Sequence, residues 1–266
     1  MIWILVSAGL IAGILINICA DSLPTAQRLH APVCAKCRQP RRLLAWSGLA
    51  AYVTHKERCS HCGAPLSIRH VLVELATPVL FVFCWTRTGS TLTTLFNVLY
   101  SAILVLVTVT DLEHRLILHV VSLPSIALAL VGAYASSAFD SPFRALLGGG
   151  IGLGGSLFLY FTGMLFGWWI GRRRGEALSD PAFGFGDVTL STFLGLILGA
   201  PEIIFAIVIG ICAGSIFAAV YLVVRGLIRR DHETFTAFIP YGPFLILGGA
   251  IMLFFGQEFM TWYTSR

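Results

Sequence analysis

Two aspartates carry the chemistry that this sequence is equipped to do. Asp187 closes the run Gly184-Phe185-Gly186-Asp187, and Asp111 ends an earlier apolar stretch. Two carboxylates brought close together do not both ionise easily, so one keeps a proton at neutral pH. The ionised one can then activate water while the protonated one donates to a carbonyl oxygen or a leaving amine. That is amide hydrolysis of the aspartyl-protease kind, with neither a metal nor a covalent intermediate. Gly184 and Gly186 let another backbone approach and leave room beside Asp187 for an extended peptide. A lone Asp at a helix edge more often caps the helix or pairs with an Arg. Two on one face, one of them in a GxGD run, favour the catalytic reading. Serine or cysteine hydrolysis has less support, because no GxSxG occurs and no His-Cys pair falls within an apolar segment. His114, three residues after Asp111, reads as a solvated interfacial residue.

The elements that must position these groups are membrane helices. Of the 266 residues 57% are apolar and only 12% charged, with a mean hydropathy of +0.85. A soluble domain carries about a quarter charged residues. The apolar residues come in blocks, and lone strands or loops leave their backbone unsatisfied in lipid. The fold class is therefore an all-α polytopic membrane protein. We expect about eight transmembrane helices, at 2–20, 70–86, 92–111, 116–136, 144–170, 186–200, 203–224 and 239–260, from the roughly 20 residues that a crossing helix needs. The sixth is short enough to be tilted or half-inserted. No basic residue precedes the first, which argues for a retained span and against a cleaved signal.

The loop charges orient the chain. One set of alternate loops holds Arg28, Lys36, Arg38, Arg41, Arg42, Lys56, Arg58, Arg69, Arg115, Arg172, Arg173, Arg174, Arg225, Arg229 and Arg230, and the other only Arg87, Arg144 and Arg266. By the positive-inside rule the first set is cytosolic and both termini lie outside. Asp111 and Asp187 then share the cytosolic face, while Glu202 and Glu258 fall near the far surface. A proton-coupled transporter would place its acids near the midplane and show an inverted repeat. Here the acids lie at the edge and no repeat is evident.

The only long polar stretch, 21–69, separates the first span (1–20) from the rest (70–266). About fifty residues hardly build a core of their own. Cys34-x-x-Cys37 and Cys59-x-x-Cys62 supply the staple: four thiolates, the tetrahedral set of structural Zn²⁺ sites. A reducing cytosol makes disulfides there the weaker alternative. Cys19, Cys84 and Cys212 sit in apolar spans and read as small buried hydrophobes. Glu74, just inside the second span, is a costly position for an acid. It either pairs with a basic group and holds the cysteine module on the membrane core, or belongs to a methyl-transfer site. Gly148, Gly149, Gly150, Gly152, Gly154 and Gly155 lack the Lys-Ser/Thr ending of a phosphate loop and suit close helix packing. Pro240 and Pro243 disrupt a regular helix start. With Gly242 they are expected to border the active-site cavity, the other reading being an ordinary proline-rich helix start.

In joint order these motifs resemble the type IV prepilin leader peptidases, which are GxGD-type membrane aspartyl proteases. The likeness runs through Leu23-Pro24, the double CxxC, Cys62-Gly63-Ala64-Pro65-Leu66-Ser67-Ile68-Arg69, Val73-Glu74-Leu75-Ala76-Thr77, Asp111-Leu112-Glu113-His114-Arg115-Leu116-Ile117, Gly184-Phe185-Gly186-Asp187 and Ile239-Pro240-Tyr241-Gly242-Pro243-Phe244. The resemblance implies removal of the short basic leader of type IV prepilins or pseudopilins on the cytosolic side of the bacterial inner membrane, after a glycine. It also implies S-adenosylmethionine-dependent N-methylation of the new N-terminus in many members with the cysteine loop. It makes Asp111 and Asp187 the catalytic pair and Cys34, Cys37, Cys59 and Cys62 the zinc ligands. The expected partners are the prepilin and the lipid bilayer, with no nucleic acid. Three positions depart from the family pattern: Leu118-His119 in place of Pro-Asp, Thr189 in place of Lys, and His70-Val71 in place of Tyr-Pro. These leave a second reading, a catalytically degenerate scaffold of a pilus or secretion assembly.

Overall fold

The computed structural model describes residues 1–26, 29–88, 91–136, 138–139, 141–174, 184–228 and 240–265. Arg28, Arg229, Arg230 and Arg266 of the charge pattern and Ile239 of the last motif lie outside them. Among the described residues every long element is helical: α1 (Ile2–Ala26), α2 (Gly48–Val53), α3 (Arg69–Arg87), α4 (Thr91–His114), α5 (His119–Ala135), α6 (Pro142–Arg174), α7 (Phe185–Leu198), α8 (Glu202–Ile228) and α9 (Gly242–Thr264). Six of them, α1, α3, α4, α6, α8 and α9, are long and apolar enough to cross a membrane. The two shorter apolar helices, α5 and α7, fall where the fourth and sixth spans are expected. The chain is a multi-pass membrane protein and divides into two compact units, Met1–Val120 and Val121–Arg266.

In the first unit α1, α3 and α4 pack on one another around Ile16, Ala20, Val73 and Val109. Close approach of α1 and α3 requires its glycines. A Cβ on Gly9 would lie 2.4 Å from Pro78 Cα, and one on Gly13 2.8 Å from Glu74 Cα. The cytosol-assigned ends of the three helices are cross-tied. Arg69 on α3 donates to Glu113 on α4 at 2.6 Å and to Asp21 on α1, which also contacts His70. The cysteine module hangs from this same end.

In the second unit α7 is the core. It is buried on nearly all sides and mostly apolar, as suits a helix enclosed by protein. Val188, Leu190, Phe193 and Leu194 are all but inaccessible. Its 14 residues span about 21 Å, against the ~30 Å of a bilayer's hydrocarbon; neighbouring helices α6, α8 and α9 supply the rest of its surroundings. Helix α6 runs antiparallel against it on a stripe of small residues. A Cβ on Gly148 would meet Gly195 O at 2.3 Å, and one on Gly152 would meet Ser191 O at 2.3 Å. Gly149 faces Leu196, whereas Gly150, Gly154 and Gly155 have open space around them. The expected close packing thus holds for one helical stripe and is corrected for the other three positions, which lie off the α7-facing side. At the far end of α7, Arg144 of α6 pairs with Glu202 of α8 and donates to Ala200 O at 2.8 Å.

Candidate active site and metal centre

Asp111 lies in the last turn of α4 and is buried, as is Thr110 beside it. The helix ends because Arg115 turns into the left-handed region (φ 54), and its amide closes on Asp111 O at 2.9 Å. This is a C-terminal stop usually left to Gly. Asp111 therefore sits at the end of the first unit that carries Arg69 and the cysteine module. His114 is exposed at the tip of α4, as expected of an interfacial residue.

Asp187 occupies the first turn of α7 and is 9% exposed. Its Oδ2 accepts the Gly184 amide at 3.0 Å, and its own amide donates to Gly184 O at 3.0 Å. A helix N-terminus presents unpaired N–H groups and is favourable to negative charge. Gly184 and Gly186 thus form the entry turn around the carboxylate. Phe185 between them projects outward and meets the Tyr160 ring edge-on at 6.3 Å. Asp187 lies at the α6 end that carries Arg172, and eleven residues of helix, about 16 Å, separate it from Leu198 near the Arg144–Glu202 pair. Each carboxylate therefore sits at the basic end of its own unit.

Tyr241 was not singled out from the sequence. It caps the start of α9, with Pro243 in the first turn and Gly242 buried. Burial, aided by the Asp187 charge, pushes its phenol up to about 12. Its position between Pro240 and Gly242, both flagged as cavity-lining, was the available signal.

The cysteine module is built from two similar knuckles. In the first, the Cys34 amide donates to Gln39 O, the Arg38 amide to Cys34 O, and Val33 bridges Pro40. In the second, Cys59, Ala64, Gly63, Arg58 and Pro65 repeat the pattern 25 positions on. Both turns need a left-handed residue, Arg38 (φ 56) and Gly63 (φ 70). The four Sγ atoms lie within 4.8 Å of one another, with Cys34–Cys62 at 3.6 Å and Cys37–Cys59 at 3.7 Å. Tetrahedral ligands at the Zn–S distance of 2.3 Å would stand about 3.8 Å apart, so the donor set fits a four-coordinate metal ion such as zinc. The amides of Cys37 and Lys36 lower the Cys34 thiol, which favours a thiolate at that position.

Glu74 is the clasp between this module and the membrane helices. Only 1% of it is exposed. Its carboxylate accepts Ser47 Oγ at 2.6 Å, the Gly48 amide at 2.7 Å, the Leu49 amide at 3.0 Å and Asn17 Nδ2 at 3.4 Å. The partner is the N-terminus of α2, where a basic group was expected. Gly48 is needed there, because a Cβ would fall 2.5 Å from His70 Cβ. Asn17, also buried, ties α1 to the same place through His70 O at 3.0 Å. It was missed, although a lone amide in an apolar span was a signal.

Known proteins share long stretches of sequence with this chain. Residues 98–219 match the Type IV leader peptidase family and residues 7–88 the Bacterial Peptidase A24 N-terminal domain. A prepilin leader peptidase/N-methyltransferase of Burkholderia pseudomallei (strain 1026b) is 32% identical over 252 residues, covering 91% of this chain and 73% of that relative. The chain belongs to the type IV leader peptidase family. Relatives of the same description from Aeromonas salmonicida (strain A449) and Bacillus subtilis (strain 168) are 29% and 24% identical, covering 87% and 90% of this chain and 74% and 86% of their own lengths. No solved structure matches the chain.

One departure from the type IV leader peptidase pattern now has a local explanation. Thr189 is 7% exposed, bonded to Gly186 O at 2.8 Å and to Ser122 Oγ of α5 at 3.1 Å. It ties the Asp187 turn to α5. Among the other cysteines, Cys84 is buried against Ser101 and Cys19 half-buried. Cys212 is exposed, a correction, since on an apolar span the outside is lipid.

Proposed function

We propose that this type IV leader peptidase cleaves the basic leader of type IV prepilins or pseudopilins on the cytosolic side of the bacterial inner membrane, with Asp111 and Asp187 as its two catalytic carboxylates. One, ionised, activates water; the other, protonated, donates to the carbonyl or the departing amine. The observation that carries this reading is the burial of each carboxylate at a turn at the basic end of its own unit, in a chain of this family. Gly184 and Gly186 admit the peptide backbone, and Pro240, Gly242 and Pro243 line the cavity with Tyr241. The leader's Lys and Arg remain in the cytosol and its apolar stem among the helices, held by packing and polar contacts, since lipid is as apolar as the stem. Residues 21–69 act as a zinc-stapled module on a peptidase core formed by 70–266. The relatives' second named activity extends the proposal to N-methylation of the new N-terminus from S-adenosylmethionine. The buried, fully engaged Glu74 supports a structural role there.

Co-expression of a prepilin from the same genome, followed by gel shift, tests the function. Loss of the leader with the wild-type chain is the expected result. No processing of any pilin precursor from that genome would favour the scaffold reading.

A further inference from the structure

Between its two knuckles the cysteine module forms a half-open surface cavity of about 430 Å³ that no part of the peptidase reading uses. Arg41, Arg42, His55, Lys56, Arg58 and Leu44 line it. From Cys34 to Cys62 the chain carries six Lys and Arg against one acid, Glu57. Among the described residues no carboxylate pairs with Arg42, Lys56 or Arg58; Arg41 spends its Nε on Val33 O at 3.3 Å. The wall is not loose, since Cys59 of the metal cluster borders the cavity. A concavity lined by cations that have no internal counter-ion is a site for an anion.

The surroundings say which anion. Directly after Arg41 and Arg42 come Leu43 and Leu44, 78% and 47% exposed, and then Trp46; Val53 is 72% exposed. Glu74 pins Ser47 to Leu49 beside the second turn of α3, a membrane span. The turn Leu43–Ala45 is therefore held close to the bilayer surface. Cations flanked by exposed leucines and a Trp are the pattern of a segment lying in the headgroup layer. A free phosphate compound would give those leucines nothing to cover.

We propose that the cavity holds the phosphate of an anionic lipid headgroup from the cytosolic leaflet, with Leu43 and Leu44 against its acyl chains. The inference rests on the cytosolic placement given above. The lipid would anchor the module to the surface from which Asp111 and Asp187 are approached, adding a second tether to the Glu74 clasp.

Native mass spectrometry of the full-length protein in neutral detergent tests this, with dioleoylphosphatidylglycerol, dioleoylphosphatidylcholine, inorganic phosphate and polyglutamate as probes. Wild type is expected to retain phosphatidylglycerol in preference to phosphatidylcholine. The Arg42→Gln/Lys56→Gln pair, neither a metal ligand nor part of the peptidase site, is expected to bind it about thirtyfold more weakly, from roughly 1 kcal/mol per surface cation. Millimolar inorganic phosphate should not displace it. Equal retention by wild type and variant, or of the two lipids, overturns the proposal. Displacement by inorganic phosphate would instead assign the cavity to a soluble phosphate compound, and displacement by polyglutamate to an acidic protein segment; either overturns it too. If the variant does not fold, as judged by metal content and melting, a photoactivatable phosphatidylglycerol on the wild type decides. It must label the peptides over 41–46 and 55–60, and labelling confined to other helices refutes the site. No prepilin enters the assay, so its failure and a failure of leader cleavage are separate results.

Discussion

Replacing Glu74 with alanine should release the cysteine module from the membrane helices without emptying its metal site. The carboxylate satisfies three short donors, Ser47 Oγ, Gly48 N and Leu49 N, at 2.6, 2.7 and 3.0 Å. Alanine leaves all three without this acceptor, the Gly48 amide buried and Ser47 and Leu49 partly so. Each orphaned buried donor costs about 1–3 kcal/mol. Taking the lower bound for each, the docked state of α2 loses roughly 3 kcal/mol, which raises its opening constant at least about a hundredfold. Hydrogen–deuterium exchange of the purified protein reads this directly. Amides of α2 should exchange faster by about that factor, while those of α7 remain as in wild type. Glutamine at 74 should fall between, because its carboxamide keeps one acceptor and turns a donor toward the others. The metal should stay, since each knuckle is closed by its own backbone bonds. Wild-type protection of α2 in Glu74→Ala would refute the clasp. If methylation were lost at the same time, the methyl-transfer reading would gain what the structural one gave up.

Three further outcomes follow from the geometry. Gly152→Val should lower the melting temperature by the equivalent of roughly 1–3 kcal/mol or more, because its Cβ meets Ser191 O at 2.3 Å, whereas Gly154→Ala, with open space around it, should stay within about 0.5 kcal/mol. Arg69→Gln removes the ties to Asp21 and Glu113 and, with both carboxylates partly screened by solvent, should destabilise by about 1–2 kcal/mol; Arg69→Lys should recover only part of it, since an ammonium does not reproduce a two-sided guanidinium fork. Stripping the metal with a strong chelator should speed exchange over residues 33–66 and leave α7 protected; uniform exchange across both regions, or none, would show that the four thiols do not staple the module.

The parts of this protein legible in the sequence are those whose partners lie nearby in the chain. The two knuckles are local turns, so Cys34-x-x-Cys37 and Cys59-x-x-Cys62 announce themselves by spacing. The entry turn of α7 is likewise contained within four residues, Gly184 to Asp187. The helix positions follow from apolar blocks. Glu74 was conspicuous as an acid in a span, but two of its partners are backbone amides, which carry no identity in a sequence, and the others, Ser47 and Asn17, lie 27 and 57 residues away. The glycines of α6 look alike in one dimension; which of them touch α7 depends on the phase of two helices, and of the six between 148 and 155 Gly148, Gly149 and Gly152 do so. Thr189 read as a departure from a family pattern until its burial against Ser122 supplied a reason. Asp21, Arg69 and Glu113 meet only when three helix ends converge, at separations of 48 and 44 residues.

The claim that Asp111 and Asp187 are the catalytic pair is tested most directly by cleavage kinetics of a purified prepilin with wild type, Asp111→Asn and Asp187→Asn in nanodiscs, each variant first matched to wild type in melting and metal content. Asparagine keeps the shape and removes the ionisable proton. The account predicts that each variant loses at least about a thousandfold in turnover, as expected when a group central to proton transfer is removed. Turnover within tenfold of wild type in either variant would contradict it.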